Sequence, residues 1–381
     1  MMENLQTNGA LRKSDAEKVR DFQRKIYRKA KQEVGFRFYV MYDKVRQAHF
    51  LRTAYRRVKA NGGASGIDGI SFDDIEKYGV DRYLTEIQKE LESKTYKASA
   101  VKRVHIPKGK GKTRPLGIPT IKDRIIQTSC KLVIEPIFEA DFEDSSYGFR
   151  PQRSPADAIK AIKLLLAERE SEVLDADLSS YFDTIPHDKL LQLVGQRISD
   201  KNILHLLKMW LKAPVLDEQE GGSAKKNKKG TPQGGVISPL LANIYLHLVD
   251  RLVNKAGSIF HENGVKIARF ADDFILIGHK INKAVLEKLK SVLGRMELVL
   301  NGEKTKLVRA KVEPFDFLGF TFRYDQDLYG RDRKYLNIVP SKKAQKKVRK
   351  KISDCLRKNS NTAPQELSDE LNKITRGWSN Y

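Results

Sequence analysis

LDADLSSYFDTIPHDKL, residues 174–190, sets Asp175 and Asp177 in a short apolar run, with Asp183 shortly after. RFADDFIL, residues 269–276, does the same with Asp272 and Asp273. Aspartate is a poor strand residue and is costly to bury unpaired. Alternate residues of a strand share a face, so Asp175 and Asp177 point the same way. Turn chemistry is the ordinary use of an Asp-Asp pair. Aspartates in two separate apolar strands suit a second use, a two-metal site. Two Mg²⁺ ions roughly 3.5–4 Å apart can clamp the attacking and leaving oxygens of an in-line displacement. Mg²⁺ takes few carboxylates and completes its shell with water and substrate phosphates. No histidine pair has helical i, i+4 spacing and no cysteine cluster occurs, which disfavours zinc hydrolysis.

Composition narrows the partner. The 381 residues include 72 Lys and Arg against 48 Asp and Glu, a formal charge of +24, which suits a polyanion such as nucleic acid. A hydrophobic fraction of 40% excludes a wholly disordered chain, and the length suggests two or three domains. Two cysteines, Cys130 and Cys355, exclude a disulfide scaffold and fit a reducing compartment. No apolar run reaches 18 residues and the N-terminus has no signal core. The expectation is a cytoplasmic protein with no membrane span.

Outward from the aspartates, strands and helices mix in an α+β or α/β pattern. Residues 11–47 read as basic helix with one buried face, and NGGASGIDGIS (61–71) as a backbone-exposing loop. Residues 99–106 and 114–120 read as strands around the basic turn KGKGKT (108–113). Helices are expected over 80–95, 121–139, 154–170, 188–212, 238–256, 283–298, 341–358 and 364–376. Strands are expected over 174–178, 266–269, 274–277 and 315–323, and residues 221–230 read as a hairpin or loop. Residues 341–358 hold nine Lys and Arg against one acid, with Val348, Ile352 and Leu356 in one stripe.

Two turns could handle phosphates. Lys108, Lys110, Lys112 and Arg114 crowd a glycine-rich turn, and TPQGG (231–235) exposes backbone beside Gln233. Each alone is an ordinary turn. A Walker-type GxxxxGK[ST] is absent.

In order along the chain, these segments resemble the reverse transcriptases encoded by bacterial group II introns. The resemblance runs from about Asn61 to the C-terminus. Its residues are GGASGIDGIS (62–71), IPKGKGKTRPLGIPTIKDRIIQ (106–127), SSYGFRPQRSPADAI (145–159) and LDADLSSYFDTIPHDKL (174–190). They continue with GTPQGGVISPLLANIYLHLVD (230–250), RFADDFIL (269–276), LNGEKTKL (300–307), FDFLGFTF (315–322) and ITRGWSNY (374–381).

The resemblance implies an α+β right-hand polymerase: a basic helical extension (1–60), fingers (61–170), a palm with an antiparallel sheet (171–335) and a helical thumb, or maturase X region (336–381). Truncation of that last region is one reading. It implies an RNA-directed DNA polymerase that adds dNTPs to a DNA primer 3′-OH on an RNA template, with a structured intron RNA as further partner. Nothing specifies an oligomeric state. Asp177, Asp272 and Asp273 would be the catalytic metal ligands for two Mg²⁺ ions, with Mn²⁺ as substitute. Phe270 stands where the family usually has tyrosine. Lys108 and Arg114 would contact the triphosphate, Phe182 would be the steric gate against a ribose 2′-OH, and Gln233 would line the nucleotide pocket. Leu318, Gly319 and Phe320 would form the primer grip, with Arg124 and Arg150 on the template side. Asp183, Tyr181, His187 and His247 read as structural residues. The resemblance carries no stretch of these 381 residues that is expected to form the family's DNA-binding or endonuclease domains. A free-standing or CRISPR- or defence-associated reverse transcriptase and a non-catalytic splicing factor stay open as alternatives.

Overall fold

The computed structural model describes residues 13–379 apart from 110–111, 168–170, 218–223, 226, 328–330, 332 and 360. Serine and acid signals start the N-terminal helices. Ser14 and Glu17 form a capping box at α1 (Asp15–Gln32), and Ser71 with Asp74 forms another at α4 (Phe72–Tyr78). Between them lie α2 (Tyr42–Val45) and α3 (Ala48–Asn61), and α5 (Val80–Glu92) follows. The basic stretch 11–47 is therefore not one helix; it leaves helical geometry at Glu33 and bridges Phe38 to Ile198.

A hairpin of β1 (Val101–Gly109) and β2 (Lys112–Ile118) leads into α6 (Ile121–Asp141), capped by Thr120. Most of α6 is buried, because α1 and α3 pack on it from the N-terminal side. Then come α7 (Pro155–Ala167), β3 (Glu172–Ala176), the single turn α8 (Tyr181–Thr184), α9 (His187–Arg197) and α10 (Lys201–Leu211). The expected single helix 188–212 is two. Asp200 caps α10 and also accepts the Met41 and Tyr42 N–H groups at 2.8 Å each, a tertiary demand no local pattern carries.

The chain continues through β4 (Val215–Asp217), β5 (Ala224–Lys225), α11 (Ser238–Asn254), α12 (Ile259–Glu262), β6 (Lys266–Phe270), β7 (Asp273–Gly278) and α13 (Lys283–Arg295). Residues 221–223 and 226 of the glycine- and lysine-rich stretch 221–230 lie outside the described residues. The last elements are β8 (Lys306–Arg309), β9 (Phe315–Phe317), β10 (Phe320–Gln326), β11 (Lys334–Pro340), α14 (Lys342–Lys358) and α15 (Pro364–Ser379). The expected strand 315–323 folds back at Leu318 and Gly319, both at positive φ, as a two-residue hairpin requires.

The architecture is mixed α/β. Three sheets run β2-β1-β4-β5, β11-β10-β9 and β6-β7-β3-β8. The last is antiparallel throughout; its strands β6, β7 and β3 are buried on both faces, while the edge strand β8 is largely exposed. Leu174, Phe274 and Leu276 face the main core, while Val173, Ile275 and Ile277 face a smaller one with α7, Phe315 and Phe322. Among the described residues no helix is long and apolar enough to cross a membrane.

Candidate active site

The carboxylates meet at one end of the β6-β7-β3-β8 sheet. Phe270 pairs with Asp273, so Ala271 and Asp272 form the two-residue turn between β6 and β7. Ala176 pairs with Phe274, so Asp177, one residue past β3, stands beside Asp273. Asp272 is thus a turn residue and Asp273 the first residue of β7. Asp177 accepts hydrogen bonds from Lys304 Nζ at 3.1 and 2.9 Å. That bond, together with the charges of Asp177, Asp273 and Asp272, raises the Lys304 pKa, against the opposing effect of burial. Asp175 lies on the same sheet. Burial, then the charges of Asp273, Asp177 and Asp316, pushes its carboxyl up to about 6.

The aspartate turn is strained and held. Ala271 has φ +60°, unusual for a residue with a Cβ. Arg269, fully buried, donates from Nη1 to the Ala271 carbonyl at 2.8 Å and to Asn243 Oδ1 at 2.9 Å. Its Nε and Nη2 grip the buried Asp250 carboxylate at 2.8 and 2.5 Å. Segment 145–150 is woven along the same strand: Arg269 N–H donates to Ser145 O, and Tyr147 N–H to Arg269 O. Gly148 then presses on the turn. A Cβ there would stand 2.2 Å from Ala271 N, so only glycine fits.

The next residue joins the turn to the candidate nucleotide pocket. The Phe149 ring meets the Phe182 ring edge-on, with centroids 6.4 Å apart, and Phe182 also contacts Tyr181. The Phe182 carbonyl accepts the Thr231 N–H at 2.7 Å, docking the loop that carries Gln233. Gln233 Oε1 accepts from Arg114 Nε at 2.7 Å, and its carbonyl accepts the Gly117 N–H at 2.5 Å. Gly234, at φ +106°, would carry a Cβ 2.2 Å from Gly117 O. Gln127 Oε1 accepts the Val236 N–H at 3.0 Å and braces the loop from α6. Phe182, Gln233 and Arg114 thus form one linked set with the aspartate turn. Lys108 lies on β1, near the β1–β2 tip.

Other residues fall elsewhere. Arg124 and Arg150 turn inward, against the expectation of template contacts. Arg124 Nε donates to Pro119 O at 3.0 Å and its Nη2 to Ala64 O, so it pins the glycine loop 62–66. Arg150 is spent on the Glu139 carboxylate and the Glu143 and Ser146 carbonyls. Burial makes such hydrogen-bonded braces obligatory. Leu318 and Gly319 form the β9–β10 turn against α14, where Ser341 N–H donates to Gly319 O at 2.8 Å. Tyr181 is core, donating to Ala242 O at 2.6 Å. Asp183 is exposed; desolvation raises its pKa against the opposing charges of Arg103 and Arg114. His187 is satisfied structurally by Gly230 O at 2.7 Å. His247 is not fully satisfied: among the described residues its buried Nδ1 has no partner, and burial lowers its pKa to about 4.

Residues 106–322 match the family described as reverse transcriptase (RNA-dependent DNA polymerase), and residues 345–381 match the group II intron maturase-specific domain. The chain belongs to the group II intron-encoded reverse transcriptase and maturase family. It is 35% identical over 365 residues to Protein YkfC of Escherichia coli K12, covering 86% of this chain and 93% of that one. It is 36% identical over 230 residues to the group II intron-encoded protein LtrA of Lactococcus lactis subsp. cremoris, covering 60% of this chain. The match spans 37% of LtrA's length. It is 27% identical over 203 residues to nuclear intron maturase 4, mitochondrial, of Arabidopsis thaliana, covering 52% of this chain and 23% of that one.

The donor set of this reverse transcriptase fits hard divalent ions: oxygen ligands only, crowded negative charge and a lysine already drawn to it. Among the described residues no three His, Cys, Asp or Glu side chains converge closely enough to cage an ion unaided. Sequence reasoning assigned no role to Lys304, Arg269, Gly148 or Gln127. Arg269 and Asp250 did leave a signal: opposite charges, each set in an otherwise apolar element.

Proposed function

We propose that the chain extends a DNA primer on an RNA template, with Asp177, Asp272 and Asp273 holding two divalent ions. Those ions, when bound, supply activation of the primer hydroxyl and neutralisation of the departing pyrophosphate. The chain's own part is positioning and charge placement. Asp177 and the aspartate turn bring their carboxylates to the same end of the sheet. Arg114 brings a guanidinium to the triphosphate and is held in place by Gln233. The Phe182 ring fills the space a ribose 2′-OH would need, which rejects ribonucleotides by clash. On this reading residues 61–170 are fingers, 171–335 palm and 336–381 thumb. The Leu318-Gly319-Phe320 turn at the foot of α14 supports the primer end.

The observation that carries the reading is the pair Gly148–Phe149, one residue packed on the aspartate turn and the next on Phe182. It brings a charge cluster and a bulky apolar ring into one site, as a polymerase must. Residues 342–358, strongly basic on an amphipathic helix with no buried side chain, suit the backbone of an RNA-containing duplex or the intron RNA of a maturase.

The test is primer extension on an RNA template with dNTPs and Mg²⁺, comparing wild type, Asp272→Ala and Phe182→Ala. Wild type extends, Asp272→Ala does not, and Phe182→Ala gains ribonucleotide incorporation. A wild type that binds primer–template yet adds nothing with Mg²⁺ or Mn²⁺ returns the chain to the splicing-factor reading.

A further inference from the structure

A second basic concavity lies apart from the carboxylates. A pocket of about 390 Å³ is walled by Lys208 and Lys212 at the end of α10, Lys228 and Lys229 from the loop before Gly230, and the start of α9. Of the two wall carboxylates, Glu297 is cancelled twice, by Lys229 at 2.6 Å and Lys189 at 3.0 Å, and Asp188 at the start of α9 is outnumbered by the remaining lysines. Among the described residues Lys208, Lys212 and Lys228 have no carboxylate within ion-pair distance. All three are exposed. Like charges gathered on one concave wall repel one another, and an anion relieves that repulsion.

The chemistry of the wall selects phosphate. Ammonium groups are point charges that bind phosphate without reading base edges. The wall has no Phe, Tyr or Trp on which a base could stack. His187 presents no second donor, because its Nε2–H is given to Gly230 O and burial, aided by Lys212, lowers its pKa.

We propose that this pocket is a second phosphate site, which anchors the backbone of an RNA strand outside the carboxylate cleft. It rests on the reading of the chain as an RNA-directed enzyme, and it adds a contact surface which that reading does not require. The pocket is also tied to the polymerising site. Lys228 and Lys229 directly precede Gly230, whose N–H donates to Ile185 O at 2.8 Å, and the same loop continues to Gln233.

The experiment measures binding of a single-stranded RNA oligonucleotide as a function of salt. The pocket variant is Lys208→Ala/Lys212→Ala/Lys228→Ala. The charge-matched control is Lys280→Ala/Lys288→Ala/Lys290→Ala, on exposed positions elsewhere. Three lost phosphate contacts make the slope of log K against log salt shallower by about 2. The control keeps the wild-type slope, and so does the Lys→Arg triple at 208, 212 and 228. A pocket variant whose slope equals the control's overturns the proposal. Primer extension at saturating primer–template separates the two readings. A wild type without extension sinks the polymerase reading and leaves the slope comparison intact. Loss of extension in the pocket variant alone would make the lysines part of the catalytic geometry and overturn the anchoring role.

Discussion

Lys304 Nζ lies 2.9 Å from Asp177 Oδ2, a fixed cation at the place where the chain gathers carboxylates. The ammonium stands where a divalent ion would compete for the same oxygens. Binding to the folded state stabilises it by mass action, and any group that must first be displaced reduces that gain. Lys304→Ala lowers the melting temperature of the metal-free chain slightly and enlarges the rise produced by Mg²⁺. Thermal shifts with and without MgCl₂, in variant and wild type, measure this. Equal rises in the two would sink the competition.

Arg269 and Asp250 form a buried ion pair, both side chains fully inside. Breaking such a pair strands the partner charge, at about 3–5 kcal/mol. Arg269→Met is expected to lose that much stability in urea unfolding. Arg269→Met with Asp250→Leu removes both charges and recovers much of it. A single variant as stable as wild type would show that the pair does not brace the turn.

Gly148→Ala has nowhere to put its methyl group, with Ala271 N at 2.2 Å. The aspartate turn must move, and a displacement of about 1 Å in a positioned site costs on the order of a hundredfold in rate. Extension is expected to fall by about that factor while the far-ultraviolet circular dichroism stays the same. Full activity would mean that the close approach is not needed.

Asp175 gives a pH dependence. Its folded pKa, about 6, lies above the ordinary carboxylate value. Below that ordinary value the group is protonated in both states and the stability contribution is fully present. As pH rises through about 6 the fold must hold a half-buried charge, and the contribution is lost. Asp175→Asn therefore stabilises at pH 8 and not at pH 4. Because the group is partly open to solvent, the gain is about 1 kcal/mol, or roughly 2 °C. A gain that is the same at both values would exclude the carboxyl as its source.

Much was legible before any coordinates. The helices read at 121–139, 238–256 and 341–358 stand close to those bounds, at Ile121–Asp141, Ser238–Asn254 and Lys342–Lys358. The strands around the aspartates follow from apolar runs that must be buried on both faces. The misread elements share a cause. Helix 188–212 breaks because Asp200 serves residues 41 and 42 as well as its own helix. Strand 315–323 reverses because Leu318 tolerates a positive φ. Arg124 and Arg150 are expected on the template side, but their guanidiniums are hydrogen-bonded to backbone carbonyls and, for Arg150, to Glu139.

The sequence by itself determined the chemistry available: a strongly basic chain, hard oxygen ligands in two apolar strands, and the motifs that mark its family. These are matters of residue type and order, and folding does not alter them. Only the tertiary structure decided which groups meet. Antiparallel register set Asp177 beside Asp273, Gly148 let one segment close on the aspartate turn, and Lys304 came to Asp177 from a distant loop. Such meetings depend on packing between elements far apart in the chain, and no local period or turn signal encodes that packing.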